Sequence, residues 1–243
     1  MTLGIEADNP FCYNPRVKGR PQMLNTSRLA IALAISSVLA GCARTPSGVA
    51  TLVLKEMSFE ITFSGPINND YFYFVPLDTS GGGDGPTPVF PGIMIAEAWV
   101  TGSATYFVRY HQRQYTVHRI VSLQPFQSDP IGAPIRSTIP DAGSTTLRFT
   151  IDLNTIAATG ESVDVNIIAV DQPSSDTRLL DGLGPRGTDF LNVDIATDRT
   201  ITNDDVISPE LPGDVLDQNG VTQSPTDQTR PLDITDWSIT VDV

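Results

Sequence analysis

Apolar and polar residues alternate with period two through most of the chain from residue 51 onward. Phe59, Ile61 and Phe63 alternate with Ser58, Glu60 and Thr62, and Leu147, Phe149 and Ile151 with Thr146, Arg148 and Thr150. Successive side chains of a strand point to opposite faces, so these segments have one apolar and one wet face, as in antiparallel sheets packed on a single side. Runs rich in Val, Ile, Thr, Tyr and Phe, separated by clusters of Gly, Pro, Asn and Asp, predict about nine strands. They span residues 51–63, 71–75, 93–100, 105–111, 115–123, 146–153, 163–170, 190–195 and 234–243. Helical periodicity is confined to residues 153–159, one or two turns at most. Without helical crossovers a parallel sheet has nothing to connect it. The expected fold is therefore all-β, an antiparallel β-sandwich of jelly-roll or immunoglobulin-like type over residues 51–243, with a partly closed β-barrel as the alternative.

One hairpin can be registered from side-chain pairing. Setting Tyr110 opposite Tyr115 places Val108 against Val117 and Tyr106 against Arg119, so aromatic and β-branched residues share a face. Phe107, Arg109, Thr116 and His118 share the other. The first face is expected in the core and the second toward solvent. The consecutive Tyr71, Phe72, Tyr73 and Phe74 should send two rings to each side of their strand. Trp99 and Trp237, the only tryptophans, are expected in the core, although aromatic platforms on sandwiches also stack on sugars.

Composition agrees with a folded, turn-rich protein: 40% of the 243 residues are hydrophobic and 18% charged, with 19 Gly and 19 Pro. That is too apolar for a wholly disordered chain. One apolar run, residues 29–41, follows Arg28 and is shorter than the roughly 20 residues that cross a bilayer. It has the positive flank, short apolar stretch and small-residue end of a secretory signal. That end reads Leu39-Ala40-Gly41-Cys42, which resembles the lipobox of bacterial lipoproteins. The resemblance covers about 20 residues, from Met23 to Cys42. It implies cleavage between Gly41 and Cys42, a diacylglyceryl group on the Cys42 thiol and acylation of the new amine. Residues 1–22 then read as a long n-region or an over-extended start, 23–41 as the signal peptide, and 42–50 as lipidated Cys and tether. Ala43 is not the Asp that marks inner-membrane retention in the enterobacterial pattern, which favours an outer-membrane envelope location.

Cys12 and Cys42 are the only cysteines and both precede the strand region, so no disulfide, thiolate metal site or catalytic Cys is expected there. The full chain carries 15 Lys+Arg against 28 Asp+Glu, a charge of −13. Removing residues 1–41 takes away four basic and two acidic residues, leaving 11 against 26, or −15. Such a balance disfavours nucleic acid as a partner and leaves membrane attachment to the acyl chains.

Charge is unevenly spread. Residues 98–128 hold no Asp or Glu, yet include Arg109, Arg113, Arg119 and both histidines, His111 and His118. Arg109, His111 and His118 are candidates for contact with an acidic glycan, a lipid head group or another anionic envelope component; internal pairing with the Asp-rich remainder is the plainer alternative. The opposite pole is an acidic, Pro-rich stretch over 203–231, continuing to Asp233 and Asp236. Of the 28 acids 22 are Asp, and clustered Asp and Asn side chains with loop carbonyls suit Ca²⁺. Asp204, Asp205, Asp214 and Asp217 are the candidate ligands of a structural calcium, with a solvated acidic loop as the alternative; no other cofactor is expected.

Catalytic patterns are sparse. Neither histidine adjoins a G-x-S-x-G elbow, the phosphate-loop pattern is absent, and the histidines lie several residues apart on their hairpin. No catalytic residue can be nominated. A pair of distant carboxylates for glycoside hydrolysis would leave no local signature. The expected function is a lipid-anchored, non-catalytic binding or structural module of the bacterial envelope, and the alternative an extracytoplasmic carboxylate-dependent hydrolase.

Overall fold

The computed structural model describes residues 54–89, 99–174, 177–184, 187 and 189–243. These belong to one compact unit beginning at Leu52. Among them the structure is all-β with fifteen strands, one 3-10 turn and no α-helix. The strands are β1 (Glu56–Phe63), β2 (Phe72–Asp78), β3 (Thr87–Pro88), β4 (Val100–Thr101), β5 (Tyr106–His111), β6 (Gln114–Leu123), β7 (Phe126–Gly132) and β8 (Arg136–Thr138). They continue with β9 (Thr146–Asp152), β10 (Ser162–Val165), β11 (Ile168–Val170), β12 (Leu180–Gly182), β13 (Leu191–Asp194), β14 (Arg199–Thr202) and β15 (Ile234–Asp242).

Two antiparallel sheets build the sandwich, one of five strands in the order β14-β15-β1-β9-β8 and one of eight. The larger sheet runs β12-β11-β2-β5-β6-β7, with β10 also on β2 and β13 on β10. Neither sheet closes into a barrel. The alternation read along β1 and β9 sends Phe59, Ile61, Phe149 and Ile151 inward. There they join Trp237 and Ile239 of β15 against Tyr73, Val75, Val108, Tyr110, Tyr115 and Val117 of the other sheet, in one apolar core. Phe59 and Phe149, directly opposite in the β1–β9 ladder, stack with centroids 4.8 Å apart. Their outward neighbours are polar: Ser58 and Thr150 hydroxyls share a hydrogen bond of 2.9 Å, and Glu60 pairs with Arg148.

The hairpin register expected for β5 and β6 is the one formed, from Tyr106 opposite Arg119 to His111 opposite Gln114. Its two-residue turn places Gln112 (φ 50°) and Arg113 (φ 61°) in the left-handed region, as the right-handed twist of a tight hairpin demands. The expectation that its second face meets solvent is overturned. Phe107 and His118 are buried on the outer side of the eight-stranded sheet, in a second apolar cluster with Phe74, Trp99, Val100, Ile168, Val170 and Leu180.

Further expectations are corrected. The run 163–170 is two strands, because Asn166 interrupts it. Fully buried, Asn166 donates to the carbonyls of Pro86 and Asp189, and its side-chain oxygen accepts from Ile167 and Leu183 N–H. Of the expected strand at 93–100 only its end is described, as Val100 in β4. The one or two turns read at 153–159 are present as turns over 153–157, with Ala157 at φ 50°. Strands β3, β7, β8, β12 and β14 add to the expected set; β7 and β8 are exposed edge segments whose sequences FQSDPIG and RST lack alternation.

Candidate functional site

Apart from Asp78, Asp164 and Arg178, buried or half-buried charge among the described residues collects at two places of opposite sign. The first lies on the outer face of the eight-stranded sheet, where register makes neighbours of residues far apart in sequence. One cross-strand row reads Ile168, Phe74, Arg109, Thr116, and the next Pro76, Phe107, His118, Pro130. Arg109, His111 and His118, singled out from their acid-free stretch, therefore share one face.

His118 stacks on Phe107 at 4.6 Å between centroids; its Nε2 is 2.9 Å from the Thr116 hydroxyl and its Nδ1 3.4 Å from that of Ser128. His111 stacks on Phe72 at 3.8 Å and its Nδ1 lies 3.1 Å from the Tyr71 carbonyl. Both rings are thus held by neighbours. Arg109 is not. Among the described residues no ion pair or hydrogen bond reaches its guanidinium, and its Nε is sealed from solvent without a partner. Burial lowers the Arg109 pKa; at His118 burial first, and the nearby Arg109 charge second, press the pKa below its usual value. A neutral imidazole thus stands beside a half-buried, unpaired cation. The other basic residues of the stretch serve differently: Arg119 forms an exposed ion pair with Asp129 at 3.3 Å, and Arg113 is a turn residue.

The second place is where the acidic stretch returns to the sandwich. Residues 203–233 form an ordered excursion: Val215, Leu216 and Leu232 are buried, and Leu216 bridges to Leu180 of β12. Asn203 accepts from Glu210 N–H and donates to the Glu210 carbonyl, closing the first part of the excursion. Asp214 thereby comes within 4.8 Å, carboxylate oxygen to carboxylate oxygen, of both Asp181 and Asp233, which are as close to each other. Asp181 accepts from Gly182 N–H and Ile234 N–H; Asp233 accepts from Gly213 N–H and the Ser64 hydroxyl. Nearby, Glu210 accepts from Gly184 N–H.

This convergence perturbs Asp181, Glu210 and Asp214. Burial, then Asp214, then Glu210 hold Asp181 well above the carboxylate range. Burial, then the charges of Asp214, Asp189 and Asp233, push Glu210 up to about 8, and burial with Asp233 pushes Asp214 up to about 6. Of the four calcium candidates only Asp214 lies here. Asp204 is exposed, Asp205 accepts from the Thr202 N–H and hydroxyl, and Asp217 accepts from Asn219 and Val221 N–H. Sequence reading missed Asp181, Asp233 and Glu210 as partners of Asp214. The signal for Asp181 was an acid inside the apolar run Leu179-Leu180-Asp181-Gly182-Leu183.

Gly41 and Cys42, the expected cleavage and lipidation residues, lie outside the described residues. Among the described residues no helix is long and apolar enough to cross a membrane. No protein-family model, curated protein or solved structure matches the chain.

Proposed function

We propose that this chain is a bacterial lipoprotein, anchored through Cys42, whose β-sandwich is a non-catalytic envelope module binding an acidic glycan on the outer face of its eight-stranded sheet. The observation that carries the binding reading is Arg109, a half-buried guanidinium left without an acceptor among aromatic rings. A buried donor with no partner costs stability unless something supplies one. Arginine offers a planar fork suited to a carboxylate, which a uronate supplies. The anchoring reading rests on Leu39-Ala40-Gly41-Cys42 at the end of the apolar run, and the −15 charge beyond it leaves membrane attachment to lipid.

Affinity electrophoresis of the full chain through polygalacturonate, with dextran as the neutral control, tests the binding. Retardation by polygalacturonate alone is expected, with Arg109→Gln weakening it about 10-fold or more, the worth of a charge-assisted hydrogen bond. Equal retardation of the variant, or none of the parent, overturns the reading. Release of reducing ends over time would favour the hydrolase instead. For the anchor, Cys42→Ser should abolish palmitate labelling in cells; persistent labelling would contradict it.

A further inference from the structure

The acidic cluster contains more buried carboxyl oxygen than its hydrogen bonds account for. Glu210 is 3% exposed, and while one oxygen accepts from Gly184 N–H, Oε2 is sealed from solvent with no partner. Its charge acts on Asp181, and those of Asp214 and Asp233 act on it, so Glu210 lies beside the three aspartates, whose mutual contact does not include it. Oδ1 of Asp214 is likewise buried and unpartnered. None of the ion pairs Arg119–Asp129, Arg136–Glu56, Arg148–Glu60 and Arg199–Asp194 involves these acids.

Two things can neutralise such a group: protons or a cation. No donor among the described residues reaches Oε2 of Glu210 or Oδ1 of Asp214, so both keep a lone pair free for a cation. Oxygens bound to one Ca²⁺ at 2.3–2.6 Å stand up to roughly 5 Å apart across it. The mutual 4.8 Å limit among Asp181, Asp214 and Asp233 fits that span. All four side chains offer oxygen, the ligand of hard cations rather than of zinc or copper. An open pocket of about 440 Å³ has Asp189, Asp205 and Glu210 in its wall.

We infer that Asp181, Asp214 and Asp233, with Glu210 beside them, form a Ca²⁺ site that clamps the excursion 203–233 to the sandwich. Asp181 lies on β12 at the edge of the eight-stranded sheet, Asp233 immediately precedes β15 of the five-stranded sheet, and Asp214 lies within the excursion. One ion held by all three ties both sheets and the excursion together. This differs from a solvated acidic loop, in which calcium would be bound diffusely or not at all.

The test uses the full chain, stripped with EDTA and then equilibrated with Ca²⁺ or Mg²⁺. Elemental analysis after gel filtration should find one calcium per chain in the parent and about a tenth of that in Asp214→Asn, which keeps the side chain's size. Asp204→Asn and Asp217→Asn, placed elsewhere, should stay at one. Calcium at about one hundred times its Kd should raise the parent Tm by roughly 5–10 °C, and chelation should speed proteolysis within 203–233. Absence of stoichiometric calcium with an unchanged Tm overturns the site. So does retention of one calcium by Asp214→Asn, or stoichiometric loading by Mg²⁺ in place of Ca²⁺. Because the parent with and without metal is itself compared, misfolding of a variant does not decide the outcome.

Discussion

The two outward faces of the sandwich follow different rules. On the five-stranded sheet the outward residues of β1, β9 and β15 are Ser58, Glu60, Thr150, Arg148 and Thr240, paired across strands by hydroxyl hydrogen bonds and an exposed ion pair. On the eight-stranded sheet the outward residues are Phe74, Phe107, Ile168 and Val170, packed with Trp99 and enclosing His118 and part of Arg109. The first face meets water and its charges are interchangeable with other polar groups. The second is a small core carrying an unsatisfied cation, a combination that packing alone does not require. The wet face thus contributes little to stability, while the apolar outer face is a second core that also holds the cation on which the proposed binding rests.

That contrast has measurable consequences. The largest is at Phe74, which stacks on Trp99 at 3.8 Å and meets Phe107 edge-on. Phe74→Ala should destabilise by about 3–5 kcal/mol in urea unfolding, as much as Phe59→Ala in the central core; a loss below about 1 kcal/mol would show that the outer cluster is not a core. Next comes Arg109→Met, which removes the unpaired guanidinium but keeps apolar length. It should stabilise the protein by about 1 kcal/mol while abolishing retention by acidic polysaccharide, a stability gain opposed to function; destabilisation by that amount would mean that Arg109 has a partner within the fold.

A smaller effect belongs to His118. Its pKa is depressed by burial and by Arg109, so the folded protein binds fewer protons there than the unfolded one, whose value lies near 6.5. Stability is therefore complete above about pH 6.5 and falls as pH drops from there toward the folded value. His118→Gln should flatten that part of the stability–pH curve, and an unchanged acid limb would contradict the assignment. The least effect is expected at Glu60→Gln on the wet face: about 0–0.5 kcal/mol, weaker still in high salt. A larger change would erase the distinction between the faces.

Legibility in the sequence followed the range of the interactions. The β5–β6 register could be read because cross-strand pairing joins residues a few positions apart through a tight turn, and one shift would have put Tyr110 and Tyr115 in water. The same local reasoning placed Arg109 and His118 on one face, but not their burial. What packs on an outer sheet face comes from other segments, here Trp99, and from β2 and β11 alongside. Asp214 was visible as one acid among many in its loop; its neighbours were not, since Asp181 and Asp233 reach it from positions 33 residues before and 19 after.

The sequence by itself therefore determined the β architecture, the hairpin register, the acidic balance and the expectation of a lipidated Cys42. These follow from side-chain periodicity, composition and a contiguous motif, all of which act over a few residues. Only the tertiary structure decided which charges are buried. Arg109 loses its water when strands from 72 to 170 assemble beside it, and Asp181, Asp214 and Asp233 meet only when an excursion folds back across two sheets. Desolvation depends on everything that surrounds a group, and no local pattern encodes it.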